Sequence, residues 1–132
     1  MIGGIFNLLM GTIFLSTRMI AAFFHAALRA ELSLFQHSAV LFVPQDPVHL
    51  LLIHGFGAAA MILGATLIYS SRDPSRWVAF ILFDGIGRLI YGTVMITYVS
   101  YFSLPRVILI FGFFELSIGL FYVMACFLVP RT

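Results

Sequence analysis

Residues 77–102 read WVAFILFDGIGRLIYGTVMITYVSYF, and residues 106–129 read RVILIFGFFELSIGLFYVMACFLV. Each run exceeds the roughly 20 apolar residues that a helix needs to cross a bilayer. Each run also carries ionisable side chains in its interior: Asp84 and Arg88 in the first, Glu115 in the second. A charge in hydrocarbon is strongly unfavourable unless it is paired, neutralised or hydrated. The two runs therefore predict membrane-spanning helices that hold a buried polar site.

The composition is that of a polytopic integral membrane protein. Of the 132 residues, 62% are hydrophobic and 9% are charged, whereas a soluble domain carries roughly 25% charged residues. The mean hydropathy of +1.11 agrees. No polar stretch is long enough to bury a core of its own, so residues 1–132 are predicted to form a single transmembrane domain. The net charge of +2 is too small and too scattered for nucleic-acid binding.

Four apolar segments predict four membrane-spanning helices. Their bounds are about 2–24, 49–70, 77–101 and 106–129. Short loops join the later segments, and short loops favour antiparallel neighbours. The predicted fold is an all-α, up-down-up-down four-helix bundle in the membrane.

The longer connection, residues 25–48, begins without helix breakers. Its first part is expected to extend the first helix or to lie on the membrane surface. Leu28, Leu32 and Phe35 share one face, whereas Glu31 lies elsewhere, as in an interfacial amphipathic segment.

Two turns carry helix-capping signals. Asp46 is predicted to cap the second span, with Pro47 at its first position. Asp73 or Ser75 is predicted to cap the third span.

The arginines near the ends of the spans predict the orientation. Arg72, Arg76 and Arg131 share one side with the N-terminus, and Arg29 and Arg106 share the other. Because cytoplasmic loops carry the excess of basic residues, both termini are predicted to be cytoplasmic, in a bacterial inner membrane.

Counting about 1.5 Å of rise per residue from the centre of each span places the polar residues by depth. Arg88 and Glu115 fall within about 3 Å of the midplane, and Asp84 falls level with Tyr122 toward the cytoplasmic side. Asp84 and Arg88, spaced i, i+4, share a helix face. One network is therefore predicted, with Arg88 between Asp84 and Glu115.

The same count places His54 and Arg18 together, about 7–8 Å toward the opposite side. They are predicted to line the outer end of the network, and Tyr91 lies one turn from Arg88 on the same face. The predicted ligand-binding residues are Arg88, Glu115, Asp84, His54, Arg18, Tyr91 and Tyr122. With both arginines and both acids charged and His54 uncharged, the cluster is neutral.

A purely structural role for this network is the simplest alternative. Polar contacts between membrane helices contribute only about 1 kcal/mol to the free energy of helix association. That gain is a weak reason to bury the four charges of the predicted cluster, which are the two acids and the two arginines. Intramembrane ionisable residues more often mark a functional site. Gly57, Ala60 and Gly64 form a small-residue stripe that is assigned to helix contact.

Two further functions stay open. Glu115 or Asp84 is the candidate catalytic acid of a membrane-embedded enzyme, an isomerase or cyclase acting on an apolar substrate, with His54 as a second group. Alternatively, His54 ligates haem or chlorophyll in a structural or pigment-holding subunit. No other metal site is indicated. The sequence shows no discontinuous helix and no inverted repeat, which argues against a transporter.

Three motifs carry a resemblance to a known family. The second span contains HGFGAAAMILGATLIY, the third DGIGRLIYG and the fourth FGFFELSIGL. Across about residues 49–125 the chain resembles the DoxX-like group of small four-helix membrane proteins. The resemblance implies a four-helix bundle, and some relatives are membrane partners of quinone-linked oxidoreductases. Arg88 and Glu115 are the polar residues that carry over.

The leading prediction is a lipid- or quinone-binding accessory subunit of a larger membrane complex. Arg88 is expected to hydrogen-bond an oxygen of a quinone or isoprenoid head group, and Glu115 to take or give a proton. The expected partners are membrane lipids and either other membrane subunits or further copies of the chain.

Overall fold

The computed structural model describes residues 1–36 and 43–128, and these ranges form five α-helices and no β-strand. The helices are α1 (Ile2–Phe14), α2 (Thr17–Phe35), α3 (Pro47–Ser70), α4 (Val78–Phe102) and α5 (Val107–Leu128). The all-α prediction is confirmed. By length and composition α3, α4 and α5 can each cross a membrane, and a fourth span results if α1 and α2 count as one. Arg131, used above to predict orientation, lies outside the described residues.

The first span is not the unbroken helix predicted over residues 2–24. α1 ends at Phe14, α2 begins at Thr17, and the two are bent by 110°. With 13 residues, α1 rises about 20 Å, which is shorter than the roughly 30 Å hydrocarbon core. The expectation that the chain has no discontinuous helix is therefore wrong.

The break lies at Ser16, whose backbone is extended at φ −126° and ψ 118°. No proline or glycine marks this position. Serine and threonine, here Ser16 and Thr17, compete with helical hydrogen bonds and favour the residue just before a helix. The polar run Ser16–Arg18 was the available signal in the sequence.

Helix α2 continues to Phe35, as one of the two alternatives for this region predicted. Its faces, however, differ from the amphipathic prediction, because Glu31 is fully buried and Leu32 is 61% exposed. Ile20 is also fully buried, and Arg29 is exposed. The helix therefore does not divide into one apolar and one polar face, and the amphipathic prediction is wrong.

The chain divides into two compact units, Met1–Tyr69 and Ser70–Thr132. In the first unit, α1 and α3 run antiparallel and their backbones meet at two glycine pairs. A Cβ on Gly4 would lie 2.8 Å from the Gly64 carbonyl oxygen, and one on Gly11 would lie 2.7 Å from that of Gly57. The predicted helix contact through Gly57 and Gly64 is confirmed.

In the second unit, α4 and α5 meet in the same manner. A Cβ on Gly85 would lie 3.1 Å from the Gly119 carbonyl oxygen, and one on Gly92 would lie 2.8 Å from that of Gly112. These pairs also define an antiparallel crossing. The prediction of a single domain over residues 1–132 stays a prediction.

The same glycine spacing recurs on α1, α3, α4 and α5, a repeat that the sequence reading missed. The pairs are Gly4 and Gly11, Gly57 and Gly64, Gly85 and Gly92, and Gly112 and Gly119. Each pair is seven residues apart, about two helical turns, so both glycines lie on one face. Each helix therefore presents two points of close backbone approach.

The N-terminus of α3 is capped as predicted. The Asp46 carboxylate accepts the backbone N–H of His49 at 3.0 Å and lies 2.5 Å from His49 Nδ1. Asp73, by contrast, accepts Ser75 Oγ at 2.7 Å and the backbone N–H of Arg76 at 3.3 Å. Because α4 begins only at Val78, Asp73 organises the preceding turn, and the prediction that Asp73 or Ser75 caps the helix is wrong.

A pair of alanine substitutions on α4 tests the close approach. Gly92→Ala places a Cβ 2.8 Å from a backbone oxygen of α5, so we expect a loss of about 1–3 kcal/mol in the free energy of unfolding. Gly87→Ala meets no atom within 4 Å and should stabilise the helix by up to about 1 kcal/mol. Equal effects of the two variants on thermal unfolding in detergent would contradict the assigned contact.

Acid should loosen the start of α3. The pKa of Asp46 lies below its ordinary value of 3.8, mainly because the backbone N–H of His49 donates to the carboxylate. A lowered folded-state pKa gives stability that is present above the unfolded pKa and lost as pH falls through the folded pKa. We expect the protection of the His49 amide proton, the unprotected exchange rate divided by its measured rate at the same pH, to fall as the pH drops below 3.8. The Asp46→Asn variant, which keeps a cap without a charge, should show no such transition.

Candidate functional site

Arg88 joins two carboxylates between α4 and α5. Its Nε donates to Asp84 Oδ2 at 2.8 Å, and its Nη1 donates to Glu115 Oε2 at 2.6 Å. The three side chains are 5%, 3% and 9% exposed for Arg88, Asp84 and Glu115. The predicted network with Arg88 at its centre is confirmed, and we call it the Asp84–Arg88–Glu115 triad.

The helices position the triad through local geometry and close packing. Asp84 and Arg88 are one turn apart on α4, a spacing that brings their side chains together. A Cβ on Gly119 would lie 3.1 Å from Arg88 Cβ. The glycine therefore lets α5 come close enough for Glu115, one turn earlier, to reach the guanidinium.

An aromatic ring completes the surroundings of Arg88. The Arg88 Cζ atom lies 5.9 Å from the centre of the Tyr122 ring, within the range of a cation–π contact. Tyr122 is 7% exposed, and a Cβ on Gly85, the residue after Asp84, would lie 3.1 Å from Tyr122 Cβ. The predicted common level of Asp84 and Tyr122 is thus confirmed. Tyr91, in contrast, is 42% exposed.

The triad contains more acid than base. When both carboxylates are ionised, the three side chains carry one excess negative charge. The two hydrogen bonds described above join Arg88 to one oxygen of each carboxylate, Asp84 Oδ2 and Glu115 Oε2. Chemically, the second oxygens, Oδ1 and Oε1, can accept a hydrogen bond, and a carboxyl group that holds a proton can donate one.

The remaining predicted ligand-binding residues, His54 and Arg18, belong to the first unit. Arg18 is exposed on α2 and follows the break at Ser16. Its predicted depth beside His54 assumed a straight helix, an assumption that the 110° bend contradicts, and the depth itself stays a prediction. The assignment of both residues to the outer end of the triad stays a prediction.

Three buried polar residues were missed by sequence reasoning. Glu31 and Ser70 are fully buried, and Asn7 is 8% exposed. Asn7 lies between Gly4 and Gly11, three residues after the first. Arg88 and Glu115 occupy the equivalent place in their own glycine pairs, so the spacing itself was a usable signal.

In residues 1–36 and 43–128, no group of three or more His, Cys, Asp or Glu side chains is arranged to hold a metal ion. No protein-family model, curated protein or solved structure matches the chain. The resemblance to the DoxX-like group therefore stays a prediction, and the geometry of the triad alone supports a functional assignment.

Loss of the central arginine should unfold the second unit more readily. Arg88→Met leaves two buried carboxylates facing each other, and breaking a buried ion pair by removing one partner costs about 3–5 kcal/mol. Arg106→Met, at an exposed arginine before α5, should change the free energy of unfolding by no more than about 0.5 kcal/mol. Thermal unfolding in detergent measures both. A neutral result for Arg88→Met would show that the triad does not hold α4 against α5.

Proposed function

We propose that this integral membrane protein binds the polar head of a hydrophobic molecule, a quinone or an isoprenoid-type lipid, at the Asp84–Arg88–Glu115 triad. The observation that carries the proposal is the burial of three ionisable side chains in the middle of two apolar helices. Arg88 is 5% exposed, and it engages both acids through short hydrogen bonds.

The energetics favour a function over a purely structural clamp. A buried ion pair is often no more stabilising than well-packed apolar residues of the same volume. Two apolar membrane helices that already cross at two glycine pairs have a simpler way to associate. Three ionisable side chains buried between two apolar helices are typical of a ligand-binding or proton-exchanging site.

The chemistry of the triad suits a neutral oxygen-bearing head group. An acid that carries a proton donates to a carbonyl oxygen, and an ionised acid accepts from a hydroxyl group. The oxygens Asp84 Oδ1 and Glu115 Oε1 lie outside the two bonds to Arg88. Glu115 is the group we assign to proton exchange, and Arg88 orients it.

The outer faces of the helices support the role of an accessory subunit. On α4, Phe83 is 74% exposed and Tyr101 is 83% exposed, and such apolar faces contact lipid or another membrane protein. We further propose, from the distribution of arginines in the sequence, that the chain lies in a bacterial inner membrane with both termini cytoplasmic. There it is a subunit of a larger complex or forms an oligomer of its own copies.

Native purification from a quinone-containing bacterial membrane tests the proposal. Mass spectrometry of co-purified small molecules should identify a quinone or an isoprenoid-type lipid at stoichiometric amounts. In the triple variant Asp84→Asn, Arg88→Met, Glu115→Gln the charges are removed together and no carboxylate is left unpaired, so the fold should persist. We expect at least a tenfold lower content of the bound molecule. Asp73→Asn, an exposed acid in the turn before α4, is the matched control.

Two results would contradict this function. One is a wild-type preparation that carries only bulk phospholipid. The other is a folded triple variant that retains the bound molecule in full, because the head group would then be held elsewhere.

A further inference from the structure

His54 holds a buried nitrogen that the triad does not explain. In the described part of the chain its Nε2 atom is buried and has no hydrogen-bond partner. A buried polar atom without a partner is unfavourable, and such atoms are uncommon in native proteins. A ligand that supplies the missing hydrogen bond is the simplest physical reason to keep it.

The register of α3 places His54 where α1 ends. His54 precedes Gly57 by one helical turn, so it lies near the face that meets α1. A Cβ on Gly57 would lie 3.0 Å from both the Gly11 carbonyl oxygen and the Phe14 carbonyl carbon. Because α1 and α3 are antiparallel, the residues of α3 that precede Gly57 extend beyond the C-terminal end of α1. There α1 stops at Phe14 and the chain turns by 110° into α2.

The residues at this corner of the first unit are aromatic or small. The ring of Phe14 lies 5.8 Å from the ring of Phe23 and 5.8 Å from that of Phe56. A Cβ on Gly55, next to His54, would meet no atom within 4 Å. Aromatic side chains thus cluster at the end of α1, and such side chains suit contact with a flat apolar molecule.

We propose that His54 Nε2 is the hydrogen-bonding group of a ligand site in the first unit, and that this site takes a neutral aromatic or quinonoid molecule through a carbonyl or hydroxyl oxygen. A neutral imidazole donates to a carbonyl oxygen from Nε2–H, or accepts from a hydroxyl group at an unprotonated Nε2. The proposal rests on the first unit and stands whether or not the triad binds a ligand.

A ligand-binding histidine and a structural histidine respond differently to substitution. Without ligand, His54→Leu removes an unsatisfied buried nitrogen and should raise the melting temperature. A structural histidine would lower it on removal, because its hydrogen bonds would be lost. His25→Leu, at an exposed position on α2, controls for the change in helix propensity.

The decisive measurement uses the full chain in lipid nanodiscs with ¹⁵N-labelled histidine, titrated with decylubiquinone. The Nε2 resonance of His54 should shift and saturate, and the resonances of His25 and His49 should not. His54→Leu should weaken binding by about tenfold, the effect of losing one buried hydrogen bond. Glu115→Gln should leave the His54 shift unchanged, which separates this site from the triad.

Three outcomes would overturn the proposal. The first is the absence of a saturable shift at His54 in the wild-type protein, which needs no variant to fold. The second is a lower melting temperature of ligand-free His54→Leu relative to the control. The third is a His54-dependent Soret shift on addition of haemin, with no response to decylubiquinone, because the imidazole would then ligate a tetrapyrrole metal.

Discussion

The guanidinium of Arg88, held between two carboxylates, joins α4 to α5 in the middle of two apolar helices. Its hydrogen bonds to Asp84 and Glu115 are 2.8 and 2.6 Å long. Ion pairs of this kind need close backbones and exclusion of lipid, because an unpaired charge in hydrocarbon is strongly unfavourable. The glycine contacts of the second unit follow from that requirement. Gly119 accommodates the stem of Arg88, and Glu115 then lies within reach.

Glycine pairs seven residues apart organise both units. In each unit two antiparallel helices approach at two points, and the residue three positions after the first glycine falls between them. That residue is Asn7 on α1 and Ala60 on α3, but Arg88 on α4 and Glu115 on α5. The same position therefore carries two charged residues in the second unit, and an asparagine and an alanine in the first. The ligand site proposed for the second unit lies at this position of the glycine crossing.

Sequence reasoning succeeded where the physics is local. Apolar composition predicted the spans of α3, α4 and α5 to within two residues at each end. Helical rise is constant, so counting residues placed Arg88 level with Glu115. The cap at Asp46 followed from the residue types alone. Sequence reasoning failed at Ser16, where two weak helix formers, Ser16 and Thr17, break the first span without a proline or glycine.

By itself, the sequence determined that the chain is helical and membrane-embedded and that Asp84, Arg88 and Glu115 belong together. These conclusions depend on hydropathy, helical rise and the unfavourable energy of an unpaired charge, which act along a single helix or between adjacent ones. Only the tertiary structure decided that the first span bends, that Glu31 is buried and that His54 keeps a nitrogen without a partner. Those features depend on which helices pack against each other. The hydrophobic periodicity of a single helix does not specify its packing partner in a distant part of the chain.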